Sequence, residues 1–170
     1  MVGVPLLNHK DQLHIAALAI LPDNSVLTYT KEHLHEGEEE VFTPGPGGPT
    51  LLVEDANVAL AICADTTHPQ HAASAAARGA NVYAAGVLIT EDGYAPDTVL
   101  LRSYAREHRM AVLMANYSGA TGAWVSAGKS AIWSEDGKLV AASSGTEEAL
   151  VIGSRQNGAW SGTIVPVPHR

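Results

Sequence analysis

The stretch Asn57-Val58-Ala59-Leu60-Ala61-Ile62-Cys63-Ala64-Asp65-Thr66-Thr67-His68-Pro69 decides how the rest of the chain is interpreted. Residues 57–63 are mostly apolar and precede turn and cap formers, which predicts a buried strand. An Ala-rich helix over 70–78, closed by Gly79, and a second apolar strand over 81–87 follow. A strand, a helix and a strand in this order predict a parallel pair within an α/β sheet.

Cys63, the single cysteine of the chain, lies where that strand ends and the helix is expected to begin. The dipole of a helix N-terminus favours a thiolate, and its free backbone N–H groups can hold a developing oxyanion. A thiol at this corner therefore fits a nucleophile. The alternative interpretation is an inert cysteine buried in the core, where free cysteines are common.

Strands and helices continue to alternate on both sides of this unit, with hairpins at the edges. The patterns upstream predict strands at 14–21, 26–29 and 50–54, with loops at 32–40 and 42–49. The patterns downstream predict a loop at 91–96, a helix at 97–109, and strands at 111–116, 129–134, 138–143 and 148–153. Residues 117–128 are rich in Gly and Ser and predict a loop of the kind that lines sites.

Composition excludes several classes of partner. With 170 residues the chain is long enough for one domain with a core. A net charge of −8, with ten Lys plus Arg, argues against nucleic acids and anionic membranes, which need a basic face. No apolar stretch reaches the ~18 residues of a membrane span. A single cysteine excludes an internal disulfide, so a reducing cytoplasm is the expected location.

The eight histidines raise the question of a metal site. The sequence holds no His-Glu-x-x-His, no paired cysteines and no Asp-x-Asp calcium loop. Its densest cluster, over 33–40, contains two histidines and four glutamates and has the character of a solvated loop. We therefore expect no metal, and a metal-binding module at this cluster is the third-ranked interpretation of the chain.

Three separated segments resemble the carbon–nitrogen hydrolase (nitrilase) superfamily, in that family's order. Residues 29–45, Tyr-Thr-Lys-Glu-His-Leu-His-Glu-Gly-Glu-Glu-Glu-Val-Phe-Thr-Pro-Gly, resemble its lysine segment. Residues 61–65, Ala-Ile-Cys-Ala-Asp, resemble its nucleophile segment. Residues 115–119, 127–132 and 136–137 are similar to its downstream signature. The resemblance extends from about residue 2 to residue 152 and looks closer to the amidase branches.

The resemblance implies a four-layer α-β-β-α sandwich and a Glu-Lys-Cys catalytic triad. It implies no metal and no organic cofactor, and a homodimer formed through helices that flank the sheets. Residues 1–153 would form the hydrolase domain and residues 154–170 a C-terminal tail. The substrate it implies is a small linear amide or an N-carbamoyl compound.

The resemblance also assigns roles to single residues. Cys63 is the nucleophile, Lys31 the cation beside it, and the backbone N–H of Ala64 an oxyanion donor. Glu38 matches a second glutamate near the site, although alone it would be one of several glutamates in a solvated loop. Asn116 either lines the substrate pocket or satisfies backbone groups in a turn.

Two further side chains have plainer interpretations. Asp65 is expected to be a cap or turn residue, because carboxylates after a strand often accept backbone N–H groups. Trp124 is expected in packing or at an interface, as the chain's other tryptophans are.

One departure from the family concerns the general base. The family carries its first catalytic Glu upstream of the lysine segment, whereas residues 1–30 contain no Glu. The first β-α-β elements of the sandwich are therefore expected to be missing. The leading hypothesis is an amidase-type hydrolase acting through Cys63, which releases ammonia or an amine. The alternative is a catalytically incomplete fragment or pseudoenzyme that only binds a ligand or dimerises.

Overall fold

A computed structural model describes the chain from Met1 to Val167. Its helices are α1 (Pro69–Ala77) and α2 (Glu91–His108), with short 3-10 turns at Glu38–Glu40 and Cys63–Thr67. Its strands are β1 (Val2–Leu7), β2 (Leu13–Ile20), β3 (Val26–Thr30), β4 (Leu51–Val53), β5 (Ala56–Ile62), β6 (Val82–Val87), β7 (Ala111–Asn116), β8 (Ser118–Thr121), β9 (Trp124–Ala127), β10 (Ala131–Trp133), β11 (Leu139–Ala142), β12 (Ala149–Gln156) and β13 (Ala159–Pro166).

The strands form two main sheets and two separate ribbons. β1, β2 and β3 make an antiparallel sheet, and six strands make a second sheet in the order β11-β10-β7-β6-β5-β4. In the larger sheet β5, β6 and β7 are parallel neighbours, and the outer strands pair antiparallel. The predicted strand–helix–strand unit is confirmed, because β5 and β6 pair in parallel and α1 connects them.

Both α-helices pack on one face of the larger sheet. Small residues of α1, such as Ala72 and Ala75, and the buried Leu101 and Tyr104 of α2 join one core with alternate residues of β5, β6 and β7. Alanine lets the helix approach the sheet closely, which is why the Ala-rich pattern of α1 buries so completely.

The opposite face of the larger sheet packs against the smaller sheet. Ala19 and Tyr29 of the smaller sheet contact Leu51 and Leu60 of the larger one in a second core. Within Met1–Val167 the layers are therefore helices, sheet and sheet, which is a partial form of the expected four-layer sandwich. At the β1 edge the sheets leave an apolar cavity of about 430 Å³, lined in part by Gly3, Pro5 and Ile62.

Helix α2 begins six residues earlier than the sequence pattern predicted, at Glu91 instead of Asp97. The pattern placed a loop before Pro96, because the residue before a proline avoids helical dihedrals. The structure shows why the helix extends further: the Thr90 hydroxyl accepts the Gly93 N–H, and acidic Glu91 and Asp92 occupy the first turn. The expected loop over 91–96 was wrong.

Residues 117–128 are not a plain loop. They form the β8–β9 hairpin, with Gly122 in the left-handed region (φ 56°) at its turn. Glycine adopts this conformation without a steric cost, so the same Gly content that suggested a loop permits a tight turn.

The last predicted strand, 148–153, extends to Gln156, and β13 pairs with it over eight residues. Asn157 and Gly158 connect them, both at positive φ (49° and 80°), as a two-residue hairpin turn requires. The division expected at residue 153 therefore falls inside β12. Residues 168–170 of the expected tail lie outside the described residues.

None of the helices described between Met1 and Val167 is long and apolar enough to cross a membrane.

Candidate active site

Cys63 is half-buried and lies at the carboxyl end of β5. Its backbone is in the left-handed region (φ 47°), which is uncommon for a residue with a Cβ. The Thr66 hydroxyl donates to the carbonyl of Cys63 at 2.8 Å, and the Thr67 hydroxyl donates to that of Ala64 at 2.9 Å. A strained residue held by its surroundings is typical of functional sites.

Helix α1 begins at Pro69, within one residue of the predicted start, and proline fits the first helical turn. Between β5 and this helix lies a 3-10 turn, Cys63–Thr67, which the sequence pattern did not predict and which Cys63 opens. The backbone N–H groups nearest to the thiol therefore belong to the 3-10 turn and not to α1. Ala64, the predicted oxyanion donor, is the second residue of that turn.

Lys31 directly follows β3 and is 1% exposed. Its backbone N–H donates to the carbonyl of Ile15 and its carbonyl accepts the Gly45 N–H. Its Nζ donates to Oε2 of Glu38 at 2.5 Å, and the same oxygen accepts the His35 N–H at 2.8 Å. The structure thus brings together two of the residues assigned from the sequence, Lys31 and Glu38.

Asp65 connects the segment after Lys31 to the turn of Cys63. Its Oδ1 accepts the backbone N–H groups of Glu32 and His33 at 3.1 and 2.8 Å. Its Oδ2 accepts the Ile62 N–H at 3.0 Å and the Tyr29 hydroxyl at 2.7 Å. The side chain has no exposed surface. Asp65, expected as a cap or turn residue, therefore connects two segments that are distant in sequence through buried hydrogen bonds.

A buried histidine and three tyrosines extend this hydrogen-bond network into the core. The Tyr29 hydroxyl proton is used by Asp65, so the contact of 2.8 Å with Nε2 of His71 assigns the imidazole proton to Nε2. Nδ1 of His71 then accepts the Tyr83 hydroxyl at 2.8 Å. Tyr104 donates to the carbonyl of Thr66 at 3.0 Å.

Burial dominates the titration of this cluster. It lowers the pKa of His71, which favours the neutral imidazole. Burial and the Asp65 charge raise the pKa values of Tyr29 and Tyr83, and burial raises the pKa of Tyr104 to about 12. The tyrosines stay protonated and act as hydrogen-bond donors around the turn.

The cluster at 33–40 does not gather around a common point. His33 stacks on His68 with ring centroids 3.9 Å apart, and Nδ1 of His35 faces the carbonyl of Glu36. Within Met1–Val167, no three His, Cys, Asp or Glu side chains lie together as a metal site requires.

A cavity of about 600 Å³ opens beside Cys63, a volume typical of small-molecule sites. Cys63, Ala64 and Glu38 line it, together with Asp97 of α2 and Trp124 of β9. Trp124, expected in packing or at an interface, is half exposed and lines the cavity. The Gly- and Ser-rich pattern of its segment was the available signal, whereas nothing local pointed to Asp97.

Asn116 satisfies backbone groups, the second of its two interpretations. Its Nδ2 donates to the carbonyls of Ile89 and Gly128 at 3.1 and 2.6 Å, and its Oδ1 accepts the Ile89 N–H at 2.8 Å. The side chain is buried and does not line the cavity. It supports the cavity indirectly, because Ile89 is a lining residue.

Comparison with known proteins gives one family and several relatives. The sequence profile described as carbon-nitrogen hydrolase matches residues 1–164. An (R)-stereoselective amidase of Pseudomonas sp. is 29% identical over 116 residues, which are 66% of this chain and 41% of that protein.

Solved structures agree with this result at the level of the fold. Nit3 of Saccharomyces cerevisiae, from branch 10 of the nitrilase superfamily, is 21% identical with a TM-score of 0.78, over 96% of this chain and 58% of its own. A variant of the amidase from Nesterenkonia sp. AN1, with acrylamide added to its active-site cysteine, is 25% identical with a TM-score of 0.77. That match covers 98% of this chain and 61% of the amidase. The chain thus spans less than two thirds of each relative.

Proposed function

Since the chain belongs to the carbon-nitrogen hydrolase family, we propose that it hydrolyses the C–N bond of a small linear amide or N-carbamoyl compound. The reaction proceeds through a thioester on Cys63 and releases ammonia or an amine. The observation that carries this proposal is that Cys63, Ala64 and Glu38 line the same cavity, and that Lys31 is ion-paired to Glu38.

The chemistry divides into two steps. The sulfur of Cys63 attacks the carbonyl carbon, and the C–N bond breaks as the leaving nitrogen takes up the proton given up by the thiol. Water then attacks the thioester, releasing the carboxylic acid and restoring the thiol. Glu38, one of the carboxylates that line the cavity, carries the proton between sulfur and nitrogen.

Two groups stabilise the negative charge that develops on the carbonyl oxygen. The backbone N–H of Ala64 belongs to the first turn after the nucleophile, where helical N–H groups have no partner within the turn. Lys31 supplies a positive charge that is fixed by burial and by its backbone hydrogen bonds. A charge that is already in place needs no reorganisation when the oxyanion forms.

Ammonia release from a neutral amide, butyramide, tests the proposal. Cys63→Ala should abolish release while the variant remains folded by circular dichroism. Lys31→Ala should lower the rate about 10²–10³-fold, the usual effect of removing one oxyanion-stabilising group. Lys138→Ala is the matched control, because Lys138 also pairs with a carboxylate but is exposed and distant from the cavity. Equal turnover by Cys63→Ala would exclude this function.

A second candidate is binding without turnover. Oε2 of Glu38 is already engaged by the Lys31 ammonium and the His35 N–H, which makes it a weaker acceptor for the proton of the thiol. Acrylamide, which adds to the cysteine of the Nesterenkonia amidase variant, separates the two candidates. Rapid adduct formation at Cys63 with no ammonia release supports a binding protein, whereas adduct formation and turnover together support a hydrolase.

The partner expected from the family is a second copy of this chain. We propose a homodimer formed through helices that flank the larger sheet. Val99 of α2 is 69% exposed, which leaves an apolar side chain on that helix for such a contact. Sedimentation of Val99→Glu against the unmodified chain tests it, since a buried charge should shift the protein to monomer.

A further inference from the structure

The cavity beside Cys63 carries an excess of negative charge. Three carboxylates line it, those of Glu36, Glu38 and Asp97, and no Lys or Arg of the described residues is among its lining side chains. Lys31 compensates one of the three through its ion pair with Glu38. The negative charges of Glu36 and Asp97 are therefore available to interact with a molecule that enters the cavity.

Asp97 is the more enclosed of these two side chains. It is half-buried on α2, one turn after Gly93, and a Cβ added at Gly93 would lie 3.9 Å from its Oδ2. Between Met1 and Val167 its carboxylate takes part in no hydrogen bond and no ion pair, whereas Glu91 on the same helix pairs with Lys129. Burial raises the pKa of Asp97, the direction expected for a carboxylate that has lost water without gaining a partner.

Trp124 gives the cavity a second feature that suits a cation. Its ring packs edge to face with His35, at a centroid distance of 5.9 Å and an angle of 83°, and the side chain is 52% exposed at the wall. Aromatic faces attract ammonium groups, and tryptophan does so most strongly. The carboxylate of Asp97, which has no partner among the described residues, can pair with the charge of an alkyl ammonium group. The accessible indole of Trp124 in the same cavity can pack on the carbon that carries this charge.

We propose that this cavity selects amides whose acyl chain carries a cationic amine, with Asp97 as the residue that sets this specificity. The inference rests on the hydrolase function proposed above and narrows it. Asp97 binds the ammonium group, the Trp124 ring contacts the end of the alkyl chain that carries this group, and the amide carbon lies at Cys63. Compounds that carry a carboxylate, such as N-carbamoyl amino acids, are disfavoured because the cavity offers their charge no free cation.

Binding to the inactive Cys63→Ala chain tests the proposal without turnover. Three small linear amides serve as probes: butyramide is neutral, 3-aminopropanamide is a cation of the same size as butyramide, and succinamate is a slightly larger anion. Titrations followed by NMR should show the cation bound about tenfold more tightly than butyramide, as charge-assisted hydrogen bonds allow, and succinamate bound most weakly. Equal affinities, or tighter binding of succinamate, would overturn the proposal.

A second substitution identifies the residue. Adding Asp97→Asn to the Cys63→Ala chain should bring the affinities for the cation and for butyramide to within about twofold, because the ammonium loses its counter-charge. Asp92→Asn, which removes one charge from an exposed position of the same helix outside the cavity, should leave the ratio unchanged. A ratio that survives Asp97→Asn would contradict the assignment. Raising the salt concentration should also reduce the preference, since the charges are partly exposed to solvent.

Turnover then separates this inference from the function on which it rests. If butyramide is hydrolysed but the cationic amide is neither bound nor hydrolysed in preference, the hydrolase stands and the specificity fails. If no amide is hydrolysed, the hydrolase fails, and the binding ratio in Cys63→Ala still decides the charge preference. If none of the three amides binds, both are overturned.

Discussion

The Nζ of Lys31 lies 2.5 Å from Oε2 of Glu38, and the lysine is 1% exposed while the glutamate is 29% exposed. A buried ammonium with one carboxylate partner depends on that partner, because an unpaired charge in the interior is costly. The pair also fixes the position of the lysine charge beside the cavity. Stability and the proposed chemistry therefore depend on the same contact.

Glu38→Gln tests the stability part of this dependence. The neutral amide leaves the Lys31 charge without a counter-charge, and we expect the free energy of unfolding to fall by about 2 kcal/mol, below the cost for a fully buried pair because Glu38 is partly exposed. Urea titration measures it. Glu39→Gln, an exposed neighbour that makes no ion pair among the described residues, should change stability by less than about 0.5 kcal/mol. Equal effects of both substitutions would contradict the argument.

Cys63 gives a prediction about its backbone that does not depend on its thiol. Its φ of 47° costs a residue with a Cβ about 1 kcal/mol, and glycine avoids that cost. Cys63→Gly should therefore be at least as stable as Cys63→Ala, although both lack the thiol. Ala76→Gly in α1 is the control at ordinary helical dihedrals and should lose about 1 kcal/mol. Urea unfolding of the three variants gives the comparison. If Cys63→Gly is less stable than Cys63→Ala, the backbone of residue 63 is not strained and the prediction is wrong.

The sequence predicted those parts of the fold that local pattern determines. Residues 57–63, 70–78 and 81–87 match β5, α1 and β6 within a residue or two, because a run of apolar residues and a helix of alanines each bury a face as one unit. The sequence also contains a signal for the Asn157-Gly158 turn, since this dipeptide is the strongest short-range hairpin signal. The start of α2 was predicted wrongly, because the capping hydroxyl of Thr90 outweighed the signal of Pro96.

The sequence proposed candidate site residues where motifs resemble the family, and it could not show the contacts between residues that are distant along the chain. Cys63, Lys31 and Glu38 lie in segments that resemble the family's motifs, so the sequence proposed them, and their catalytic roles stay predictions. The bonds from Asp65 to Glu32 and His33 cross more than 30 residues of sequence, and no local pattern contains them. Asp97 lies in α2, as the pattern predicted, but its place at the cavity depends on how that helix packs, which no local pattern contains.

Asp65→Asn should disrupt both segments of the candidate active site together, the one after Lys31 and the turn of Cys63. The carboxylate accepts from donors on both oxygens, so an amide places its NH₂ group against at least one of them. We expect a loss of about 3 kcal/mol, the range for a buried charged acceptor that loses its partners. Asp55→Asn, exposed in a turn, is the matched control. Urea titration gives the stability change, and acrylamide labelling of Cys63 reports whether the turn has moved. A stable variant with unchanged labelling would show that the hydrogen bonds of Asp65 do not hold the two segments together.

The buried tyrosines make the fold sensitive to alkali. Tyrosine in an unfolded chain ionises near pH 10, whereas burial keeps the pKa of Tyr104 at about 12 and raises those of Tyr29 and Tyr83 as well. Unfolding then releases protons, so the contribution of these tyrosines to stability should be constant below pH 10 and fall as the pH rises from 10 towards 12. Tyrosinate absorbance should appear together with the loss of structure in a stopped-flow pH jump. Tyr83→Phe removes one of these groups and should flatten the dependence, while Tyr117→Phe, at a position 49% exposed, should not. Ionisation of all five tyrosines in a chain that is still folded at pH 11 would contradict the buried arrangement around Asp65.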